Sequence, residues 1–284
     1  MILLTKSNHS YHRLNDPSFS LSSVTQLIKS KQKTNDQSYW DYWLLYKALQ
    51  KLVPDFNRIK PFAQPPLAWM LEQAKAFPKD LIENLTAEIK ANWKQTGEQA
   101  SEFGTEEHAL QEQKSLETEW KRSIFDTKVY KVFNTSEEIS DYKKLLINSY
   151  ENLAPGLYPE LTLSWRDFAG TADEVYVAQD TKVPTVDILD FKFKKKFTVN
   201  NRFTNFKQPW THLEESDLNK AALQISFYAY FLEQYGYRFR SGTVKVFNKY
   251  YPVKYLKKEI EAFFNDFDSP SISLDTLQDV EGHL

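Results

Sequence analysis

The 284-residue chain contains no cysteine, which excludes disulfides and thiolate zinc sites and suits a reducing compartment. Glycine is scarce, at 7 residues, and neither G-x-G-x-x-G nor G-x-x-x-x-G-K-[ST] occurs, so glycine-rich nucleotide-binding architectures and ATP-driven motors are not supported. No stretch of about 20 apolar residues is present, so no transmembrane helix is expected. The start of the chain, Met1 to Asn8, turns polar after a short apolar patch and lacks the apolar run of a signal peptide. These absences together predict a cytoplasmic protein that makes no use of a membrane. There is also little net charge. A formal value of -2 offers no whole-protein attraction for nucleic acid.

Material for a core is abundant, with 41% hydrophobic residues, 7 Trp, 16 Tyr and 20 Phe, and global disorder is excluded on that ground. Charge is uneven along the chain. Asp190 to Lys207 carries five Lys, one Arg and one acid, whereas Lys257 to the end carries seven acids and two Lys. A local phosphate-binding surface and an ordinary solvated face both fit that pattern.

Residues 1–60 read as mostly helical, with Ser22 and Ser23 as N-caps before Val24, Leu27 and Ile28, and with a broad apolar face from Tyr39 to Leu52. After a Pro-rich break at 60–66, helices are expected near 66–76 and 78–96. An interruption follows at Gly97 to Gly104, and a new helix is capped by Thr105 and runs to Lys121. The character changes near residue 145. Strands are expected at 161–165, 173–178 and 185–193, a helix at 218–235 closed by Gly236, a strand at 243–247 and an amphipathic helix at 256–267. The expected class is α/β, a mixed central sheet flanked by helices behind a helical N-terminal region.

On a strand, side chains alternate faces, so Asp190 and Lys192 share one face and Leu189, Phe191 and Phe193 the other. A carboxylate and an ammonium so placed can hold a hard cation and aim or deprotonate its water, or can form a cross-strand ion pair. Asp187 could replace Asp190 only in a shifted register, on the opposite face and without a lysine two positions on. Upstream, Gly170 permits a turn or a close approach before Asp173 on a strand able to pair with that of Asp190. Downstream, Gln224 and Tyr228, with Lys220 one turn earlier, share a helix face. His108 could line a helix and pair with Glu112. Trp40, Trp43 and Trp93 could stack on bases or sit in the core.

The series Gly170-Thr171-Ala172-Asp173, then Asp190-Phe191-Lys192, then Gln224-Ile225-Ser226-Phe227-Tyr228, preceded by Gly104-Thr105-Glu106-Glu107-His108 and Glu112, resembles the RecB-type, phage exonuclease-like branch of the PD-(D/E)XK nuclease superfamily. The resemblance covers about residues 100–250. It implies a restriction-endonuclease-like core at 101–268 behind a helical region at 1–100 that guides DNA; the charge pattern marks 269–284 as an acidic tail. Mg²⁺ or Mn²⁺ would be held by Asp173, Asp190, the backbone carbonyl of Phe191 and His108, with Glu160 at a second metal or its water. Lys192 would be the catalytic lysine, and Gln224 and Tyr228 would position it or contact DNA. Lys194, Lys195, Lys196 and Lys220 would grip phosphates. The expected activity is hydrolysis of DNA at single strands or duplex ends, in phage-type replication or recombination in a host cytoplasm, with a recombination or single-strand-binding protein as partner. The rival is a non-catalytic DNA-binding or interaction subunit on the same fold.

Overall fold

The computed structural model describes residues 2–5, 10–13, 16–117, 153, 155–178 and 182–267. In chain order the elements are β1 (Ile2–Thr5), β2 (Ser10–Arg13), β3 (Asp16–Ser23), α1 (Val24–Ser30), a 3₁₀ turn (Lys33–Asn35), α2 (Gln37–Leu52), α3 (Phe56–Ile59), α4 (Leu67–Ala74), α5 (Lys79–Glu117), β4 (Gly156–Trp165), β5 (Phe168–Ala178), β6 (Thr185–Lys192), α6 (Asp217–Gln234), β7 (Arg238–Val246), β8 (Lys249–Val253) and α7 (Lys257–Phe267). They form two compact units, Met1–Lys31 with Glu107–Leu284, and Gln32–Glu106.

The larger unit is α/β. Its sheet runs β1-β2-β3-β5-β6-β7-β8, with β4 paired to β5. The six strands from β3 onward are mixed: β3 with β5 and β6 with β7 are parallel, and the other pairs are antiparallel. Strand β6 is buried along nearly its whole length, as expected for a central strand covered on both faces. Val186 and Ile188 face the main core with Phe227, Phe231, Phe263 and Phe264 of α6 and α7. Leu189 and Phe191 face a smaller cluster with Tyr176. By alternation Asp190 and Lys192 continue the Val186–Ile188 face, so the apolar layer beneath α6 turns ionic at the end of β6. Helix α6 is capped by Ser216, whose hydroxyl accepts the Asn219 amide at 3.1 Å, and Gly236 follows it at φ +89.

The smaller unit is helical. Tyr46, Leu49, Phe56 and Met70 form one cluster, and Leu44, Ala48 and Ile89 another. Trp43 and Trp93 pack against these clusters, while Trp40 keeps 44% of its surface exposed.

Three expectations need correction. The first residues are strands rather than helix: β1 to β3 form a meander, and Tyr11 and Leu21 are buried against Ala169. Short strands of this kind take their stability from cross-strand partners, which local periodicity does not reveal. Gly97 to Gly104 does not interrupt the helix, and Thr105 is no cap, since its hydroxyl donates to the Ser101 carbonyl at 3.0 Å within α5. Each glycine costs a helix about 1 kcal/mol, and good helix formers between them (Glu98, Gln99, Ala100, Glu102) offset it. Strand β8 was also not expected. The change near residue 145, the end of the helix to Lys121 and the tail at 269–284 lie outside the described residues. Among the described residues no helix is long and apolar enough to cross a membrane.

Candidate active site

Strands β4, β5 and β6 each place one acid in a single row. Pro159 pairs with Glu174 and Leu161 with Ala172, which sets Glu160 opposite Asp173. Glu174 pairs with Leu189, and the next step of that register sets Asp173 opposite Asp190. Directly opposite residues share a sheet face with Cβ atoms about 5 Å apart, so the register sets the three acids side by side, although Asp190 is not in the close group that Glu160 and Asp173 form with His108. Glu160 holds φ +51 in the middle of β4, a left-handed conformation that costs a residue with a Cβ about 1–3 kcal/mol.

Helix α5 adds His108. Its Nδ1 lies 3.8 Å from Asp173 Oδ2, and its ring meets Phe193 edge-on at 5.1 Å. One ligand atom from each of His108, Glu160 and Asp173 lies within 4.8 Å of the others. Phe191 joins this group through its backbone: its amide donates to Asp173 Oδ2 at 2.5 Å, and the His108 ring donates to its carbonyl. Asp190 is 2% exposed and turns toward Lys192, whose Nζ lies 2.9 Å from Oδ1 and 2.8 Å from Oδ2. Oδ2 receives no aligned hydrogen bond beyond that ion pair, so the carboxylate keeps coordinating capacity.

The electrostatics follow from crowding. Burial, then repulsion from Asp190, pushes the Asp173 carboxyl well above the usual carboxylate range; Glu160 adds to the rise, while Lys192 and the Phe191 amide oppose it. Burial works against the Lys192 ammonium, but Asp190 and Asp173 outweigh it and raise its pKa above the ordinary lysine value. Burial and Lys192 lower the pKa of His108, which favours the neutral imidazole that metals bind.

Beneath the row, α6 supplies Tyr228 and Gln224, joined by a 3.2 Å hydrogen bond from Gln224 Nε2 to the Tyr228 hydroxyl. Tyr228 is buried, and burial pushes its phenol well above the ordinary tyrosine range, with Tyr11, Asp190 and Asp173 adding to the rise. Gly170 leaves room for this ring: a Cβ there would sit 2.6 Å from both Cε1 and the hydroxyl oxygen. Gly170 thus serves close approach inside β5, not a turn. Tyr11 reaches the same region through its hydroxyl, 3.3 Å from Thr171 Oγ1. Nothing in the local sequence around Tyr11 marks it, because the pairing of β3 with β5 brings its strand near.

The expected phosphate contacts divide. Lys195 and Lys196 are exposed. Lys194 is bonded to Asp217 at 2.7 Å, and Lys220 lies 3.9 Å from Glu215, so both cations help fix the start of α6. Asp187 occupies the opposite face of β6, fully buried. It accepts hydrogen bonds from Arg240 Nε at 2.9 and 3.0 Å, from Arg240 Nη2, and from the Ser241 hydroxyl at 2.6 Å. Nothing in the sequence marks that clasp, since Arg240 lies 53 residues away and carries no motif. The side chain of Glu112 lies outside the described residues. No family model, curated protein or solved structure matches the chain.

Proposed function

We propose that the chain is a magnesium- or manganese-dependent deoxyribonuclease of the PD-(D/E)XK type, on a restriction-endonuclease-like core, acting as an exonuclease on DNA ends in replication or recombination. The observation that carries this reading is the row Glu160, Asp173, Asp190 across three strands, with His108 over it and Lys192 at its end. Three carboxylates converging beside one lysine oppose one another, and a divalent cation is the partner that would relieve them. The donors, carboxylate oxygens with one imidazole, suit a hard or borderline metal such as Mg²⁺ or Mn²⁺.

His108, Glu160, Asp173 and Asp190 would hold the ion, with the Phe191 backbone alongside. When bound, it supplies Lewis acidity for a phosphoryl oxygen and lowers the pKa of a water. Lys192, gripped by both oxygens of Asp190, is placed to aim the attacking water and to offset the charge that develops on the phosphorus oxygens. Tyr228 and Gln224 support the row from below, so their role is to keep Asp173 and Asp190 in register.

The test is digestion of linear duplex and closed circular plasmid with Mg²⁺, Mn²⁺ or EDTA. Linear DNA should be degraded only with metal, and Lys192→Ala should lower the rate by about 10²–10³-fold, the usual cost of removing one group that stabilises charge developing in the transition state. Cleavage that persists in EDTA, or that is unaffected by Asp190→Ala and Lys192→Ala, sinks the reading. Equal cutting of the closed circle removes the exonuclease part alone.

A further inference from the structure

The connection from β6 to α6, residues 193–216, leaves the sheet directly after Lys192. From Phe193 to Leu213 it contains no acidic residue, yet it carries Lys194, Lys195, Lys196, Arg202 and Lys207 in a chain of net charge -2. Lys195, Lys196 and Arg202 are exposed. Between Arg202 and Lys207 stands Phe203, 81% exposed, the largest exposure of any large hydrophobic side chain among the described residues.

A single exposed phenylalanine is ordinary on a loose loop, but this loop is braced. Asn201 donates its amide to Glu214 Oε2 at 2.8 Å and its side-chain nitrogen to the Glu215 carbonyl at 3.0 Å, while its Oδ1 accepts the Phe203 amide at 3.3 Å. The Glu215 amide donates to the Thr204 carbonyl at 2.7 Å. Phe206 and Trp210, a few residues on, are buried in the main core. Phe203 is therefore the outward tip of a turn whose base is locked. Further along the loop Lys207 lies beside Lys31: its amide donates to the Lys31 carbonyl at 2.8 Å, and burial, then repulsion from Lys207, lowers the Lys31 pKa. The base of the loop is also fixed to the candidate site, because Asp217 binds both Lys194 and Thr198 and sits in the field of Lys192.

We propose that this loop is a strand-binding platform, in which Phe203 stacks on an unpaired nucleobase while Lys195, Lys196 and Arg202 hold the flanking phosphates. An aromatic ring held outward on a cationic turn matches a single strand better than a duplex, because only unpaired bases offer an open π face beside the phosphates. The inference rests on the nucleic-acid reading of the site and names the form of substrate it takes.

The test is binding of a short oligo-dT carrying one 2-aminopurine to the full chain in EDTA, where cleavage does not intrude. Wild-type protein should bind and quench the fluorophore. Phe203→Ala should weaken binding by about 5- to 100-fold and abolish the quench, and Phe203→Trp should restore both. Replacing Lys195, Lys196 and Arg202 by Gln should reduce the salt slope of log K by about two. Unchanged affinity and quenching in Phe203→Ala, or no strand binding by the wild type, overturns the proposal. A chain that captures strands through Phe203 yet cleaves nothing would remove the nuclease reading and leave this surface standing. Metal-dependent cleavage with Phe203→Ala binding like wild type would do the reverse.

Discussion

Substituting Gly170 by Ala tests the packing between the acidic row and α6. The backbone there tolerates an alanine, since Gly170 does not take a left-handed conformation, so any cost is steric. The added methyl would lie 2.6 Å from Cε1 and the hydroxyl oxygen of Tyr228 and 3.0 Å from Cζ, about 1 Å inside ordinary contact. Tyr228 is buried and held by Gln224, so its ring has little room to yield. Overpacking of this degree costs about 1–3 kcal/mol, which for a chain this long lowers Tm by about 2–4 °C per kcal/mol. The decisive measurement is a double-mutant cycle by thermal and urea unfolding. In a Tyr228→Ala background the methyl meets no ring, and Gly170→Ala should be neutral or stabilising by about 0.4–1 kcal/mol through the unfolded chain. The coupling should therefore exceed about 1 kcal/mol. If Gly170→Ala melts with the wild type, or costs as much with Tyr228 absent, glycine is not at this position to admit the ring.

Further outcomes follow from the same contacts. Asp173→Asn should raise Tm in EDTA, because it removes a buried charge that Asp190 and Glu160 repel, while metal-induced stabilisation is lost; a wild-type response to Mn²⁺ in this variant would count against Asp173 as a ligand. Burial favours the protonated form of Asp217, but the hydrogen bonds from Lys194 and Thr198 outweigh it and hold the pKa below the ordinary carboxylate value. Its stabilisation is thus present above the ordinary carboxylate pKa and is lost as pH falls through the lowered one. Asp217→Asn should cost about 2 kcal/mol in urea at neutral pH and converge on wild type in acid. Asp187→Asn should destabilise by about 2 kcal/mol by weakening the hydrogen bonds that the exposed Arg240 and Ser241 donate to this buried carboxylate, yet retain metal-dependent cleavage at low temperature, whereas Asp190→Asn should lose it; the opposite outcome would transfer the site to the other face of β6.

How much of this was legible in the sequence depends on the range over which each feature is decided. The shared face of Asp190 and Lys192 is local, fixed by strand alternation, and so is the i, i+4 pairing of Gln224 with Tyr228. The strands at the centre of the larger unit were also readable, because β-branched and aromatic runs bounded by turn residues mark them. What stayed hidden was decided at a distance. The meander β1 to β3 needs partners to exist, the Arg240 clasp joins residues far apart in the chain, and the run of α5 through Gly97 and Gly104 depends on the balance along the whole helix. The sequence around Gly170 allows a close approach or a turn, and the identity of the approaching group, the ring of Tyr228, is decided by the packing of α6 on β5.

The row of acids bears on why the chain tolerates local disadvantage at this point. Between Pro159 and Leu161 the backbone of Glu160 enters a region that residues with a Cβ avoid, and the carboxylate it delivers faces Asp173, itself facing Asp190. A structure selected for stability alone would extend the apolar layer of Val186 and Ile188 to the end of β6, since hydrophobic replacements for buried ionic clusters are often neutral or stabilising. Strain at Glu160 and repulsion at Asp173 act at the same place, and burial of Asp190 adds a third cost. These terms are independent in origin: positive charge among the carboxylates would offset the repulsion and the buried charge, whereas the backbone strain at Glu160 would remain. Replacing Glu160 by Gly would separate them. It removes the strain and one donor at once, so stability in EDTA should rise while the affinity for Mn²⁺ measured by calorimetry falls. If both stay at the wild-type values, Glu160 is not part of the cation's ligand set.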